Sequence, residues 1–210
     1  MTTLLLVRHG ETVGNSRVRY FGRTDLELSA LGRAQMAAAR EWIGRRFAGA
    51  RIAPVMSSPM RRARESAAII AGNPAPIEIQ QFVEVDFGRF EGLTAEEIAA
   101  RFPEDFARWN RDRLDPAFTY PSGESRAAFT ARVREGIRAM LAAIDESPNQ
   151  SDNGFALLVA HRGVIRIVTE TLAGATPAIE LGSLQALARD GADRWRATML
   201  DATEYLRGLA

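Results

Sequence analysis

The chain has 210 residues, enough for one large α/β domain with a full hydrophobic core. Its formal net charge of +1 provides no strong field for nucleic acid or a membrane, so neither partner is expected. It contains no cysteine and no lysine, which excludes disulfides, thiolate chemistry, Schiff bases and a Walker-type lysine, and leaves arginine, histidine and backbone N–H groups to bind any anion.

The N-terminal residues lack the basic region and the long apolar stretch of a signal peptide. No apolar run in the sequence approaches the length that spans a bilayer. We therefore expect a cytoplasmic enzyme or binding domain, present as a monomer or a homodimer.

The first half of the chain alternates predicted strands with predicted helices. Short continuous apolar runs are typical of strands buried on both faces, and a serine before a periodic apolar segment is typical of a helix N-cap. In chain order we predict a strand at Leu4–Val7, a helix at Ala30–Phe47 capped by Ser29, a strand at Pro54–Ser58, a helix at Arg61–Ala71 and a strand at Ile77–Phe82. The apolar face expected for the first helix consists of Leu31, Ala34, Ala38 and Trp42.

The second half resumes this alternation after a polar insertion. We predict a helix opened by a capping box at Thr94–Glu97 and ending near Arg101, an irregular or partly helical stretch at 103–122, and a long helix from about Glu124 to Ile144. A surface loop at Ser147–Gly154, a strand at Phe155–Ala160, a helix after His161 to Leu172, and two closing strands at Ser183–Arg189 and Trp195–Asp201 follow. The order predicts a three-layer α/β/α sandwich with a mostly parallel sheet, in one domain over 1–210, with 90–123 as a small helical insertion over the site.

The two histidines of the chain occupy equivalent places. His9 and His161 each follow a predicted buried strand. Because ligands bind at the carboxyl ends of the strands in open α/β sheets, the two side chains are predicted to be neighbours in one crevice. The alternative is that each is an ordinary structural histidine.

Arginines accompany both of these strand ends. Arg8 ends the first strand, where a charge needs a partner, and Arg61, Arg62 and Arg64 follow the second, although at least one of these three fits a solvated helix face. Histidines and arginines that converge on one crevice predict an oxyanion pocket, since guanidinium groups match phosphate oxygens. A zinc site is the rival interpretation, but arginines oppose a dication and no HxH or HxxxH spacing exists, so no metal is expected.

Three carboxylates follow the third predicted strand and offer a proton donor. Glu84, Asp86 and Glu91 lie within the segment FVEVDFGRFEGLT. Glu91 suits a turn or a cap, whereas spacing alone does not choose between Glu84 and Asp86.

Several segments together resemble a known family. In chain order they read LVRHGET followed by Asn15, FGRTDLELSALGRAQ, SSPMRRA, EVDFGRFEG, PSGES and VAHRGVIR. They are similar to the histidine phosphatase superfamily, the phosphoglycerate mutase-like family, and they cover essentially the whole chain. The resemblance implies a phosphoglycerate mutase-like fold and a phosphomonoester hydrolase that forms a phosphohistidine on a small phosphorylated metabolite, with no cofactor.

The resemblance also implies residue roles. His9 would be the nucleophile, Glu84 the proton donor, and Arg8, Arg62 and His161 the phosphate pocket. Substrate-binding roles would fall to Thr12, Asn15, Phe21, Gly22, Arg23 and Arg64. Flanking arginines suit a nucleophilic histidine, because like-charge repulsion lowers the imidazole pKa and keeps the ring neutral.

Two departures from the family pattern matter. The family usually has His-Gly-Gly at the second histidine, but this chain has Arg162 in the middle, which either points away or favours a second anionic group on the substrate. The short insertion resembles the phosphatase branch. The alternatives are a 2,3-bisphosphoglycerate-dependent phosphoglycerate mutase and an inactive phosphate- or protein-binding module.

Overall fold

A single sheet of six strands organises the computed structural model, which describes residues 2–72, 75–147 and 154–209. The strands are β1 (Thr2–Arg8), β2 (Ile52–Ser57), β3 (Ile77–Glu78), β4 (Phe155–Ala160), β5 (Leu184–Arg189) and β6 (Trp195–Ala202). Their order across the sheet is β3-β2-β4-β1-β5-β6. β3, β2, β4 and β1 run parallel to one another, and β5 is antiparallel to both of its neighbours, β1 and β6. The predicted mostly parallel sheet is confirmed.

Helices cover both faces of this sheet. They are α1 (Ala30–Arg46), α2 (Arg61–Ala71), α3 (Ala95–Arg101), α4 (Pro103–Asp112), α5 (Arg126–Asp145) and α6 (Arg162–Ala173). Residues of α1 and α2 pack with one face of the sheet, and residues of α5 and α6 pack with the other. The sequence of β1 shows why: Leu4 and Leu6 belong to the α5–α6 core, and Leu5 and Val7 belong to the α1–α2 core. A strand buried on both faces must be apolar throughout, as this one is.

Local capping signals were good predictors of helix starts. The Ser29 hydroxyl accepts a hydrogen bond from Gly32 N at 3.0 Å, which caps α1. Thr94 and Glu97 form the predicted reciprocal capping box of α3. Of the predicted loop at 147–154, residues 148–153 lie outside the described residues.

The prediction of the apolar face of α1 is wrong: the face that is buried is rotated about the helix axis from the predicted one. Its buried residues are Gly32, Met36, Ala39 and Ile43, whereas Leu31, Ala34, Ala38 and Trp42 are only half-buried. Gly32 faces inward because the backbone of Glu11 crosses the start of the helix there, and a Cβ on Gly32 would collide with the Glu11 carbonyl oxygen. A close backbone approach, which apolar periodicity does not reveal, sets the orientation.

The strand predicted at Ile77–Phe82 is also largely wrong. Only Ile77 and Glu78 pair with β2, and Gln80–Phe82 form a 3₁₀ turn. The turn carries Phe82 into the α5 core, where its side chain is fully buried beside Gly136. Burial of one large aromatic ring therefore outweighs the continuation of an edge strand.

The insertion is more regular than the sequence suggested. The stretch predicted to be irregular or partly helical contains the ten-residue helix α4, which begins at Pro103. Proline suits the first turn of a helix, where its missing N–H is not needed. None of the helices within the described ranges is both long and apolar enough to cross a membrane.

Two glycines of α1 are predicted to respond in opposite ways to substitution by alanine. Gly32→Ala should lower the free energy of unfolding by about 2 kcal/mol or more, because the new methyl group collides with backbone that cannot rotate away. Gly44→Ala on the same helix should raise it by about 0.5–1 kcal/mol, because no atom lies within 4 Å of the added Cβ. Urea unfolding of both variants measures the difference, and equal stabilities would contradict the close approach at Gly32.

Candidate active site

The two histidines meet at the carboxyl ends of neighbouring parallel strands. His9 follows β1 and His161 follows β4, and the backbone N–H of His9 donates to the Ala160 carbonyl at 3.1 Å. The ring centroids are 5.1 Å apart, with an interplanar angle of 65°. The predicted proximity of the histidines is confirmed.

The hydrogen bond of His9 fixes its tautomer. Nδ1 lies 2.7 Å from the Gly10 carbonyl oxygen, which can only accept, so Nδ1 carries the proton. Burial, reinforced by repulsion from Arg62 and Arg8, lowers the pKa of His9 well below 6.5. The ring is therefore neutral, and the lone pair of Nε2 is free.

His161 is held in the opposite tautomer. Arg62 Nε donates to His161 Nδ1 at 3.3 Å, so Nδ1 is unprotonated. Nε2–H then donates to the Ser58 hydroxyl at 2.8 Å. Burial, followed by the charge of Arg62, lowers the pKa of this ring well below 6.5. Ser58 was missed by the sequence analysis, although it follows β2 as His9 follows β1 and His161 follows β4.

Arg62 joins His161 to the loop that follows the first histidine segment. Its guanidinium, 1% exposed, donates to the carbonyl oxygens of Gly22 and Thr24 at 2.8 Å each. Burial lowers its pKa, and the charge of Glu84 opposes that shift. Arg62 therefore fixes the loop and the second histidine together.

Arg8 has donors left over. Its Nη1 donates to the Ile179 carbonyl at 3.0 Å, and burial lowers its pKa to about 10. Its Nε is buried and has no hydrogen-bond partner in the described part of the chain, and the same holds for the Thr12 hydroxyl. Both residues line the same cavity as His9. Unpartnered buried donors are costly, so their presence together indicates a place for oxygen atoms of a ligand.

Glu84, rather than Asp86, reaches this cavity. Its carboxylate accepts from Gly163 N at 3.1 Å and from Val85 N at 3.0 Å, and the residue is 7% exposed. A Cβ at Gly163 would lie 2.6 Å from Glu84 Oε1, so this approach requires glycine. Asp86 instead accepts from Gly88 N at 2.8 Å within its own turn.

Glu91 performs a capping role across two segments. It accepts from Gly22 N at 3.0 Å, from Arg23 N at 2.9 Å and from the Thr24 hydroxyl at 2.8 Å. The loop is thus held by Glu91 through its donors and by Arg62 through its carbonyls. The turn-and-cap interpretation of Glu91 is confirmed, with the cap on a remote loop.

The structure brings most of the predicted site residues to one cavity of about 1160 Å³. Those that line it are Arg8, His9, Thr12, Phe21, Arg62, Glu84 and Arg162. His161 is fully buried and contacts His9 and Arg62.

Four predicted residues lie elsewhere. Asn15 and Arg23 are exposed and are not in the cavity wall. Gly22 contributes its backbone to Arg62 and Glu91. Arg64 lies 3.5 Å from Glu78, beside a separate shallow depression.

The insertion supplies an aromatic wall that the sequence analysis did not assign. Trp109 of α4 and Tyr120 line the cavity together with Tyr20. The ring centroids of Tyr20 and Trp109 are 5.5 Å apart. In the described ranges, no three His, Asp or Glu side chains come together in a way that could hold a metal ion.

The histidine geometry predicts a specific nuclear magnetic resonance signature. At about pH 5.5 an ordinary imidazole is mostly protonated, but both rings should remain neutral, His9 with its proton on Nδ1 and His161 with its proton on Nε2. Nitrogen-15 shifts of the two rings measure both properties. Arg62→Gln should raise both pKa values, whereas Arg61→Gln, one residue away on the exposed surface, should not. A charged ring at that pH in the unaltered protein would contradict the electrostatic account.

The chain has recognisable relatives among known proteins. A family model described as histidine phosphatase superfamily, branch 1, matches residues 4–188. The glucosyl-3-phosphoglycerate phosphatase of Mycobacterium tuberculosis is 32% identical over 174 residues, which are 80% of this chain and 74% of that protein. A structure of mycobacterial glucosyl-3-phosphoglycerate phosphatase with VO3 has a TM-score of 0.75 at 29% identity, covering 96% of this chain and 99% of that one.

Some relatives are much longer than this chain. A bifunctional protein of Mycobacterium tuberculosis is 40% identical over 138 residues, which are 64% of this chain but 36% of that protein. The chain thus spans little more than a third of the length of that relative. The family match itself covers most of the chain and includes both histidine segments, so the chain belongs to the histidine phosphatase superfamily, branch 1.

Proposed function

We propose that this protein is a metal-independent phosphomonoester hydrolase that acts through a phosphohistidine at His9 on a small phosphorylated metabolite. The observation that carries the proposal is the free lone pair of His9 Nε2 in a cavity with two unpartnered donors, Arg8 Nε and Thr12 Oγ1. A neutral nucleophile beside such donors suits attack on a phosphoryl group whose oxygens the donors bind.

The first step transfers the phosphoryl group to the enzyme. His9 Nε2 attacks phosphorus, and the bond between phosphorus and the ester oxygen breaks. Protonated Glu84 gives its proton to that oxygen, and the alcohol leaves. Arg8 and Arg62 stabilise the charge on the phosphoryl oxygens, so these residues supply the positive charge that a metal ion supplies in other phosphatases.

The second step returns the enzyme to its starting state. Water attacks the phosphohistidine, and the Glu84 carboxylate takes a proton from that water. The bond between phosphorus and His9 Nε2 breaks, and inorganic phosphate leaves. Glu84 is then protonated and His9 is neutral again, which is the usual reversal of acid and base roles.

The remaining contacts fit a small substrate in a single domain. We assign the wall formed by Phe21 and by the insertion 90–123 to the leaving group, because it lies around the same cavity. The relative that is named a glucosyl-3-phosphoglycerate phosphatase supports hydrolysis rather than mutase chemistry. Its substrate is an example of the class we propose, a phosphorylated small metabolite.

The nucleophile is tested by phosphate release from a panel of phosphomonoesters in excess EDTA. The unaltered protein should turn over at least one ester, and His9→Ala should lower kcat/KM by about 10⁴-fold or more, because the covalent step is lost. Acid-labile phosphate bound to the unaltered protein after rapid quenching identifies the intermediate, and circular dichroism checks that the variant is folded.

Other outcomes of this panel would select the alternatives. Full activity in His9→Ala would overturn the phosphohistidine. Isomerisation of 3-phosphoglycerate with a bisphosphoglycerate primer, faster than phosphate release, would indicate a mutase. Binding of vanadate without turnover of any ester would indicate a binding module.

The role of Glu84 is tested by varying the leaving group. Glu84→Gln should lower kcat/KM for alkyl phosphates by about 10²–10⁴-fold, because an alkoxide needs a proton as it leaves. It should lower kcat/KM for p-nitrophenyl phosphate much less, because nitrophenolate leaves as a stable anion. Asp86→Asn, two residues away and outside the cavity, is the matched control. Equal losses on both esters would contradict proton donation by Glu84.

A further inference from the structure

Two packed helices place a second group of arginines along the cavity. Arg126 and Arg134 come from α5, and Arg162 and Arg166 come from α6; we call these four the arginine row. Spacings of eight and four residues are close to whole numbers of helical turns, so each pair lies on one face of its helix. The row therefore continues the positive wall beyond the pocket of Arg8.

The arginine row is not tied up in ion pairs with the described residues of the protein. In the described part of the chain none of the four lies within ion-pair distance of a carboxylate. Arg132 on the same helix shows the contrast, since it pairs with Glu124 at 2.7 Å and donates to two backbone carbonyls. Glu84, Glu170 and Glu180 also line the cavity, but none of them forms an ion pair with a member of the row.

Two members of the row have positions that are unfavourable without an anion. Arg166 Nε is buried and has no hydrogen-bond partner in the described residues. Arg162 is the first residue of α6, at the positive end of the helix dipole, where a cation is disfavoured. Its charge also reaches the phosphate pocket, where it helps to lower the pKa of Arg8, behind the larger effect of burial. Burial without a partner therefore distinguishes Arg166, and proximity to the phosphate pocket distinguishes Arg162.

From these contacts we infer that the arginine row binds a second anionic group, a phosphate or a carboxylate, carried by the leaving group of the substrate. This inference rests on the proposed function, because it assigns the transferred phosphoryl group to His9 and Arg8. Arg162 follows His161 directly, and Arg166 lies about 6 Å further along the helix axis. The substrate class is thus a doubly anionic phosphomonoester, either a bisphosphate or a phosphorylated acid with separated charges.

A matched series of synthetic esters tests the second anion. α,ω-Alkanediol bisphosphates with two to six carbons are compared with the ω-hydroxyalkyl monophosphates of the same lengths. At the best length, kcat/KM for the bisphosphate should exceed that for the monophosphate by about tenfold or more, as expected for charge-assisted hydrogen bonds to arginine. A terminal carboxylate in place of the second phosphate distinguishes the two anions.

Single substitutions test whether the arginine row causes the preference for the bisphosphate. Arg162→Gln and Arg166→Gln should each reduce the ratio of the two kcat/KM values about tenfold or to unity. Arg196→Gln, on the exposed edge strand β6 and outside the cavity, should keep the ratio of the unaltered protein. Because a ratio of two substrates does not depend on the fraction of folded enzyme, partial misfolding cannot imitate the result.

The outcomes separate this inference from the proposed function. Turnover of both esters with a ratio near one, or a ratio that neither glutamine variant changes, overturns the second anion site alone. If no ester is hydrolysed, the proposed function fails, and calorimetric titration still decides the inference. The bisphosphate should then bind the His9→Ala variant about tenfold more tightly than the monophosphate, and equal affinities would overturn it.

Discussion

The buried guanidinium of Arg62 is the interaction on which the rest of the site depends. A charge removed from water is tolerated only when its donors are satisfied, and here they bind His161 and the carbonyls of Gly22 and Thr24. The same loop gives its N–H groups to Glu91. One cation and one carboxylate thus hold opposite sides of a segment that has no regular secondary structure, so the entrance to the cavity has a defined shape.

Arginine also suits this pocket better than lysine would, because a buried guanidinium stays charged whereas a buried lysine readily loses its proton. In the reaction that we propose, the pocket must remain cationic while its two imidazoles remain neutral, although all of these groups lie together. A guanidinium keeps its proton even when burial lowers its pKa, as it does for Arg8, to about 10. The pKa values of the His9 and His161 imidazoles are lowered instead, so both rings stay neutral. In its carboxylate form, Glu84 acts against the repulsion by stabilising the charged forms of Arg8 and Arg62.

Sequence reasoning succeeded where the signal was local or followed from topology, and failed where it depended on packing. Capped helices and two strand-end histidines needed only short-range patterns and the parallel order of the sheet. The burial of Gly32 and of Phe82 depends on backbone and aromatic contacts from remote segments, which periodicity does not report. On α2, Arg62 is buried and Arg64 pairs with Glu78 at the surface, although the resemblance assigned both to the site.

The segment His161–Gly163 shows how chemistry and selectivity can be separated within one helix start. Gly163 is constrained, because any side chain there would meet the Glu84 carboxylate, and its N–H binds that same group. Arg162 meets no such limit: its side chain extends into the cavity, away from the packed interior. In the proposed reaction, a change at this position alters the charge that faces the leaving group, while the histidine and the glutamate keep their hydrogen bonds. We therefore propose that Arg162 selects the substrate without disturbing the groups that we assign to phosphoryl transfer.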